Sequence, residues 1–282
     1  MVLPCICRAK CLISSQLVLR NINALKSLFN YLTQETENKD GECYFYRNVF
    51  SKIKVTKEKV TANSRAKKIS SVVLSDNEID EFLHFVKFEY EKYLTTRQKS
   101  VFLRDKERDI AIISMLLGSG IRVSEIANLL IHDINFKKEQ IDIIRKGNKE
   151  DTVLVLPSAL AALEDYLKIR TERYKTATSM HYVFVTKYQG IAQPISVRAI
   201  QNLVGKYTKA FNSQGNALNS GKGLSPHKFR HTFASEWIRT GGNLVLLRDQ
   251  LGHSSIETTT KYTNLSAAEG KKVIDKMDES RK

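Results

Sequence analysis

The chain has 282 residues, 42% of them hydrophobic, enough to bury the core of one large domain or two modest ones. Its 45 Lys and Arg against 30 Asp and Glu leave a net charge of +15, a balance that favours polyanions and steers them in over long range. No run of about 18 apolar residues occurs, which excludes a transmembrane helix. Arg8 and Lys10 stand where a secretory signal needs its apolar core, so a soluble, cytoplasmic protein without membrane insertion is expected.

Cys5, Cys7 and Cys11 crowd the N-terminus and Cys43 stands alone. No histidine lies near enough to complete a zinc set, so reduced thiols, with no metal and no cofactor, are expected. From Ser15 to Thr33 the apolar residues Val18, Ile22, Leu25, Phe29 and Leu32 recur at the spacing of one amphipathic helix. A turn at Asn38-Lys39-Asp40-Gly41 ends it, and Tyr44, Phe45, Tyr46, Val49 and Phe50 form a second, short apolar patch. Between Ser51 and Val72 there are seven Lys or Arg and a single Glu, the composition of an extended basic linker that either is solvated or follows a phosphate backbone.

Ser75-Asp76-Asn77-Glu78 is a capping-box pattern and opens a helix with Ile79, Phe82, Leu83 and Val86 on its buried face. Tyr90 to Lys106 reads as a polar surface connection. Asp109 to Leu117 is apolar all round, a central core helix that Gly118 and Gly120 stop. Arg122 follows at once, a charge between buried segments that must be paired or face a cleft, with Glu125 one turn on as its brace. Ile141, Ile143 and Ile144 and the run Thr152 to Leu156 flank Gly147-Asn148 as a β-hairpin, which puts Lys146 near the tip of an arm.

Pro157 begins another helix through Leu160, Leu163 and Leu167. His181 to Val185 reads as a short strand, Val197 to Phe211 as an amphipathic helix, and Ser213 to Gly223 as a loop. The stretch Ser225 to Leu265 then gathers His227, Arg230, His253 and Tyr262. A final helix at 266–282 carries Ala267, Ala268, Val273, Ile274 and Met277 on one face.

Arg122, Lys146, His227, Arg230, His253 and Tyr262 are a set suited to a phosphodiester. An arginine fork donates two bonds to a phosphate and keeps its proton. A phenol serves as a nucleophile that stores the bond energy as an ester, provided neighbours ease loss of its proton. A lysine on an arm delivers a proton to the leaving oxygen. No carboxylate cluster of the kind that holds paired Mg²⁺ accompanies them, which disfavours a two-metal route.

The pattern resembles the tyrosine recombinases, the lambda-integrase family. Gly118 to Glu125 is similar to the family's first arginine box, and Lys146-Gly147-Asn148-Lys149 to its hairpin lysine segment. His227-Lys228-Phe229-Arg230 is similar to the H-x-x-R box, Leu251-Gly252-His253 to the third box, and Lys261-Tyr262 to the nucleophile segment. The wording of Arg104 to Ile113 and Phe229 to Thr263 is similar to the single-recombinase Xer type of the family.

The resemblance implies a mainly α fold with a small β-sheet and hairpin (α+β). A catalytic domain at 75–282, with a tail helix at 266–282, follows a basic linker at 51–74 and a partial, SAM-like helical DNA-clamping domain at 1–50. That clamp is expected to be shortened, because one clear helix precedes the capping box. The implied roles are Tyr262 as nucleophile, Arg122 and Arg230 as phosphate holders, Lys146 as general acid, His227 assisting proton transfer and His253 donating to a phosphate oxygen. His231 reads as a supporting or core histidine.

The implied activity is cleavage and rejoining of DNA through a 3′-phosphotyrosine, without metal, in the service of chromosome dimer resolution. Implied partners are double-stranded DNA at paired recombination sites and three further copies of the chain in a homotetramer; a DNA translocase at the division septum is a further candidate. The tail is expected to dock on a neighbouring protomer. Three alternatives share the pattern: a type IB topoisomerase, an integrase or transposase of a mobile element, and a DNA-binding remnant without catalysis.

Overall fold

The computed structural model describes residues 15–53, 73–175, 180–213 and 223–262. The expected tail helix at 266–282, most of the basic linker, and Cys5, Cys7 and Cys11 lie outside the described residues. The chain divides into two compact units, Met1–Val60 and Thr61–Lys282.

In the first unit, helix α1 (Ser15–Asn30) runs on into a π turn at Tyr31–Glu35. The two apolar patches of this region meet, since the Phe29 ring stacks on Phe45 at 5.4 Å and tilts against Phe50 at 4.6 Å. Val18 and Leu25 of the predicted stripe stay exposed, as do Leu17 and Leu28.

The second unit opens at α2 (Asp76–His84), where Glu78 N donates to Ser75 Oγ and Ser75 N donates to Glu78 Oε2, closing the capping box. The polar stretch that follows is not a surface connection. Tyr90 and Phe102 are buried, and α3 already begins within it, spanning Thr96–Ser119. A second capping box starts that helix: Thr95 Oγ1 accepts from Gln98 N, and Thr95 N donates to Gln98 Oε1 at 3.0 Å.

In its first half Asp105, Arg108 and Asp109 are charged yet buried, because each has a partner. Arg108 pairs with Asp109 at 2.6 Å and Asp105 at 3.3 Å, while the hydroxyls of Tyr174 and Tyr207 donate to Asp105 and Asp109 at 2.7 Å. The second half, Ala111 to Leu117, is buried all round as its composition predicts.

Gly118 does not stop this helix. It lies within α3, where a Cβ would stand 2.7 Å from Ala159 Cβ of α5 (Pro157–Arg173). The close packing of the two helices requires the missing side chain there, and Gly120, at φ 64°, makes the stop. After the short α4 (Val123–Ala127) come β1 (Ile134–Asn135), β2 (Gln140–Arg145) and β3 (Lys149–Leu154), one antiparallel sheet in that order.

The β2–β3 turn is Lys146, Gly147 and Asn148, with φ of 86° at Gly147 and 57° at Asn148. These are left-handed positions that Gly and Asn accept at low cost. A second hairpin lies where one short strand is expected. Strand β4 is Val185–Tyr188, starting where the expected strand ends, and it pairs with β5 (Ile191–Pro194) across Gln189-Gly190, both at positive φ. Helix α6 (Val197–Ser213) buries Ile200, Leu203, Val204, Tyr207 and Phe211.

Helix α7 (Pro226–Arg239) and the short α8 (Leu244–Leu251) complete the unit, with single turns at Ile256–Thr258 and Thr260–Tyr262. Phe233, Ala234, Leu247 and Leu251 form a small core of their own, against which Trp237, Ile238 and Tyr262 pack. The fold is mainly α with small antiparallel sheets. Forcing α3 off α5 tests the contact that fixes it: Gly118→Val should lower stability by about 1–3 kcal/mol, read as a lower urea midpoint at unchanged slope.

Candidate active site

The site is built around the C-terminal end of α8. Asn243 caps the start of that helix, accepting from Val245 N at 2.7 Å, and Gly252 ends it at φ 60°. The last carbonyls of a helix have no partner within it and carry the negative end of its dipole. Three arginines from distant segments supply the donors.

Arg230, on α7, donates through Nη1 to Gly120 O at 2.7 Å and through Nη2 to Leu251 O. It is 5% exposed. Burial pulls its pKa down to about 10, and the charge of Arg122 acts in the same direction. Arg122, at the start of α4, donates through Nη2 to Gly252 O at 3.1 Å and pairs through Nη1 with Glu125 Oε1 at 2.8 Å. Glu125 also accepts from the Arg122 backbone N at 2.7 Å, so this carboxylate is the brace that its spacing suggests. The Arg122 side chain remains 38% exposed while that of Glu125 is 3% exposed, which leaves a guanidinium held on one side and open on the other.

Arg145 is the third, and sequence reasoning missed it. Its Nη2 donates to Gln250 O at 2.8 Å and Asp249 O at 3.2 Å; its Nε donates to Asp151 at 2.5 Å; Nη1 lies 3.7 Å from Glu125 Oε1. A Cβ at Gly252 would collide with this guanidinium, so the glycine of the Leu-Gly-His box serves both the left-handed turn and the arginine beneath it. The two-residue alternation of β2 was the available signal, since it puts Arg145 on the inward face with Ile141 and Ile143. Gln250 was missed as well: its amide donates to Ser119 O at 2.9 Å and Leu154 O at 2.7 Å, joining α3, β3 and α8.

His253 follows at the turn, its Nδ1 3.0 Å from the hydroxyl of the buried Thr259. Tyr262 is partly buried against the small core. Burial pushes its pKa up to about 12, with Arg230 acting in the opposite direction. Its hydroxyl lies 2.6 Å from His231 Nδ1. His231 is expected as a supporting or core histidine, and the contact identifies the residue beside it: next after Arg230 on α7, it meets the phenol of Tyr262. The His227 ring meets it edge-on at 4.3 Å between centroids, and His227 itself is exposed.

Arg122, Arg230, His253 and Tyr262 thus surround one helix end, with His227 alongside through His231. Lys146 is exposed at the hairpin tip and does not join that contact network. Its arm is nevertheless anchored there, because the preceding Arg145 is tied to the α8 carbonyls.

The sequence profile of the phage integrase family matches residues 73–269. The chain belongs to this family. Tyrosine recombinase XerS from Streptococcus uberis is 42% identical over 265 residues, covering 94% of this chain and 72% of that protein. XerS from Lactococcus lactis subsp. cremoris is 40% identical over the same shares. Among solved structures, the XerH site-specific recombinase bound to its difH substrate superposes with a TM-score of 0.62 at 21% identity, over 94% of this chain and 66% of that one. The Tn1549 transposon integrase in complex with DNA gives 0.62 at 18% identity, over 94% and 81%. At these identities the structures establish the fold of the recombinase, and the XerS relatives establish its class, site-specific tyrosine recombination.

Two measurements probe this geometry. Replacing Arg145 with Met should cost about 3 kcal/mol of stability, the lower end for a broken buried pair, because Asp151 is 39% exposed and regains water. In an ultraviolet titration, the phenol lost in Tyr262→Phe should account for an ionisation near 12 instead of 10. Since the folded value lies above the unfolded one, the linked stability is present below pH 10 and disappears as the pH rises through 12.

Proposed function

We propose that this recombinase cuts and rejoins duplex DNA through Tyr262, and that it does so at paired sites, as a homotetramer, to resolve chromosome dimers at cell division. The observation that carries the chemical part is the convergence of Arg122 and Arg230 on the adjacent carbonyls of Leu251 and Gly252, next to the phenol of Tyr262. Burial first and the charge of Arg122 second depress the pKa of Arg230, and an anion entering between the two arginines relieves that cost. A scissile phosphate is such an anion, and the net charge of +15 favours DNA as its source.

In this reading Arg122 and Arg230 bind the non-bridging oxygens, whose charge grows as the phosphorus is attacked. Tyr262 Oη bonds to phosphorus and the bond to the 5′ oxygen breaks, leaving a 3′-phosphotyrosine. Lys146, carried on the hairpin arm, gives the 5′ oxygen its proton. His253 donates to a phosphate oxygen, and His227 assists proton transfer. A 5′ hydroxyl from the partner strand then attacks the phosphotyrosine and reverses the sequence.

The similarity to XerS across 94% of the chain supports chromosome dimer resolution over integration of a mobile element, and with it a septal DNA translocase as the partner that starts exchange. Incubation with a nicked suicide substrate should trap the wild-type protein covalently on DNA. Tyr262→Phe should trap none, and Arg230→Ala should cleave about a hundredfold more slowly. Relaxation of supercoils by a monomer on DNA without a special site would show a topoisomerase instead, and no adduct from wild type would show a DNA-binding protein without catalysis.

A further inference from the structure

Attack by Tyr262 needs a destination for the phenolic proton, and the arginines do not provide one. A guanidinium has donors only and keeps its charge. Arg230 also spends Nη1 and Nη2 on Gly120 and Leu251, and Arg122 is engaged by Glu125 and Gly252. The imidazole of His231 is placed differently. Its Nδ1 is 2.6 Å from Tyr262 Oη, and the two rings are 5.6 Å apart and tilted, a geometry in which a ring nitrogen meets the hydroxyl. With the imidazole proton on Nε2, Nδ1 accepts from the phenol. His227, one turn earlier on α7, packs its ring edge-on against His231 and restricts where the imidazole can swing. Because burial pushes the phenol up to about 12, it holds its proton at neutral pH and gains nucleophilic character only as that proton leaves.

We propose that His231 is the general base for Tyr262, an inference that rests on reading Tyr262 as the nucleophile. During cleavage the Oη–H bond breaks toward His231 Nδ1 as the Oη–P bond forms. The P–O5′ bond breaks in the same step, and the 5′ oxygen takes its proton from Lys146. During rejoining the incoming 5′ hydroxyl returns a proton to Lys146, and the imidazolium of His231 returns one to the departing Oη. His231 and Lys146 therefore serve opposite oxygens of the reacting phosphate.

Separating this role from mere support requires a variant that keeps the hydrogen bond and loses the proton acceptor. In His231→Asn the side-chain oxygen stands near the position of Nδ1 and accepts from the phenol without becoming charged. On the suicide substrate, the full-length Asn variant should bind DNA as wild type does and form adduct about a hundredfold more slowly. Trifluorotyrosine at position 262, a phenol that ionises far more readily, should restore most of that loss and none of the loss in Lys146→Ala. A substrate whose 5′ bridging oxygen is replaced by sulfur, which departs without a proton, should rescue Lys146→Ala and leave His231→Asn slow.

Wild-type rates in the Asn variant, or no rescue by the fluorinated phenol while wild type still forms adduct, would overturn the assignment. Absence of adduct from wild type is a different result. It removes Tyr262 as the nucleophile, and this inference with it.

Discussion

Everything in the catalytic unit leads to the last turn of α8. A short helix leaves its final carbonyls exposed to whatever donors surround them, and here the carbonyls of Asp249, Gln250, Leu251 and Gly252 receive guanidinium groups from β2, α4 and α7. Cations at the negative end of a helix are favourable, yet the dipole is equivalent to only about half an elementary charge. Glu125 is the carboxylate common to Arg122 and Arg145, so positive charge remains in excess around Arg230. The arrangement is held together by hydrogen bonds to neutral carbonyls and kept apart by charge. In the proposed mechanism it gains when the scissile phosphate enters.

Rigidity comes from below. Helix α3 carries the Gly120 carbonyl that receives Arg230, and its N-terminal half is fixed by Arg108, Asp105 and Asp109 with the hydroxyls of Tyr174 and Tyr207. Burial and the neighbouring carboxylates push both phenols up, so they remain proton donors to those carboxylates across the physiological range. Gly118 lets α5 close on the same helix, and Gln250 bridges the end of α3 to β3 and α8. A buried polar network of this kind costs much if half satisfied and orders its surroundings when complete. The hairpin arm that bears Lys146 inherits this order through Arg145, while its tip at Gly147-Asn148 stays exposed.

Where residue pattern and local chemistry agree, the sequence could be read directly: the Ser75–Glu78 box, the Gly147-Asn148 turn, Pro157 at a helix start, and the amphipathic face of α6. The Arg122–Glu125 brace was legible too, because both partners lie within one turn. Reading failed where long-range contacts decide. Asp105 and Asp109 look like surface because they find partners in Tyr174, just past α5, and Tyr207 on α6 that composition does not reveal. Gly118 looks like a stop because Ala159 is distant in the chain. The β4–β5 hairpin was hidden by Gln189, which takes a left-handed conformation without being the usual Asn or Gly.

The partner of His231 was hidden for the same reason, with a sharper consequence. Successive residues on a helix point about 100° apart, and Arg230 and His231 make their hydrogen bonds to different partners. Arg230 turns to the Gly120 and Leu251 carbonyls and His231 to the phenol, while His227, one turn back, lies on the His231 side. In the proposed mechanism the helix thereby separates the two demands of phosphoryl transfer to Tyr262. One face neutralises charge with groups that never give up a proton, and the other presents groups that can. A site that relied on arginine alone would stabilise the phosphate and leave a phenol near 12 un-ionised beside it. In that mechanism an imidazole within 2.6 Å of Oη answers the second demand without adding a permanent positive charge to a site that already holds Arg122, Arg145 and Arg230.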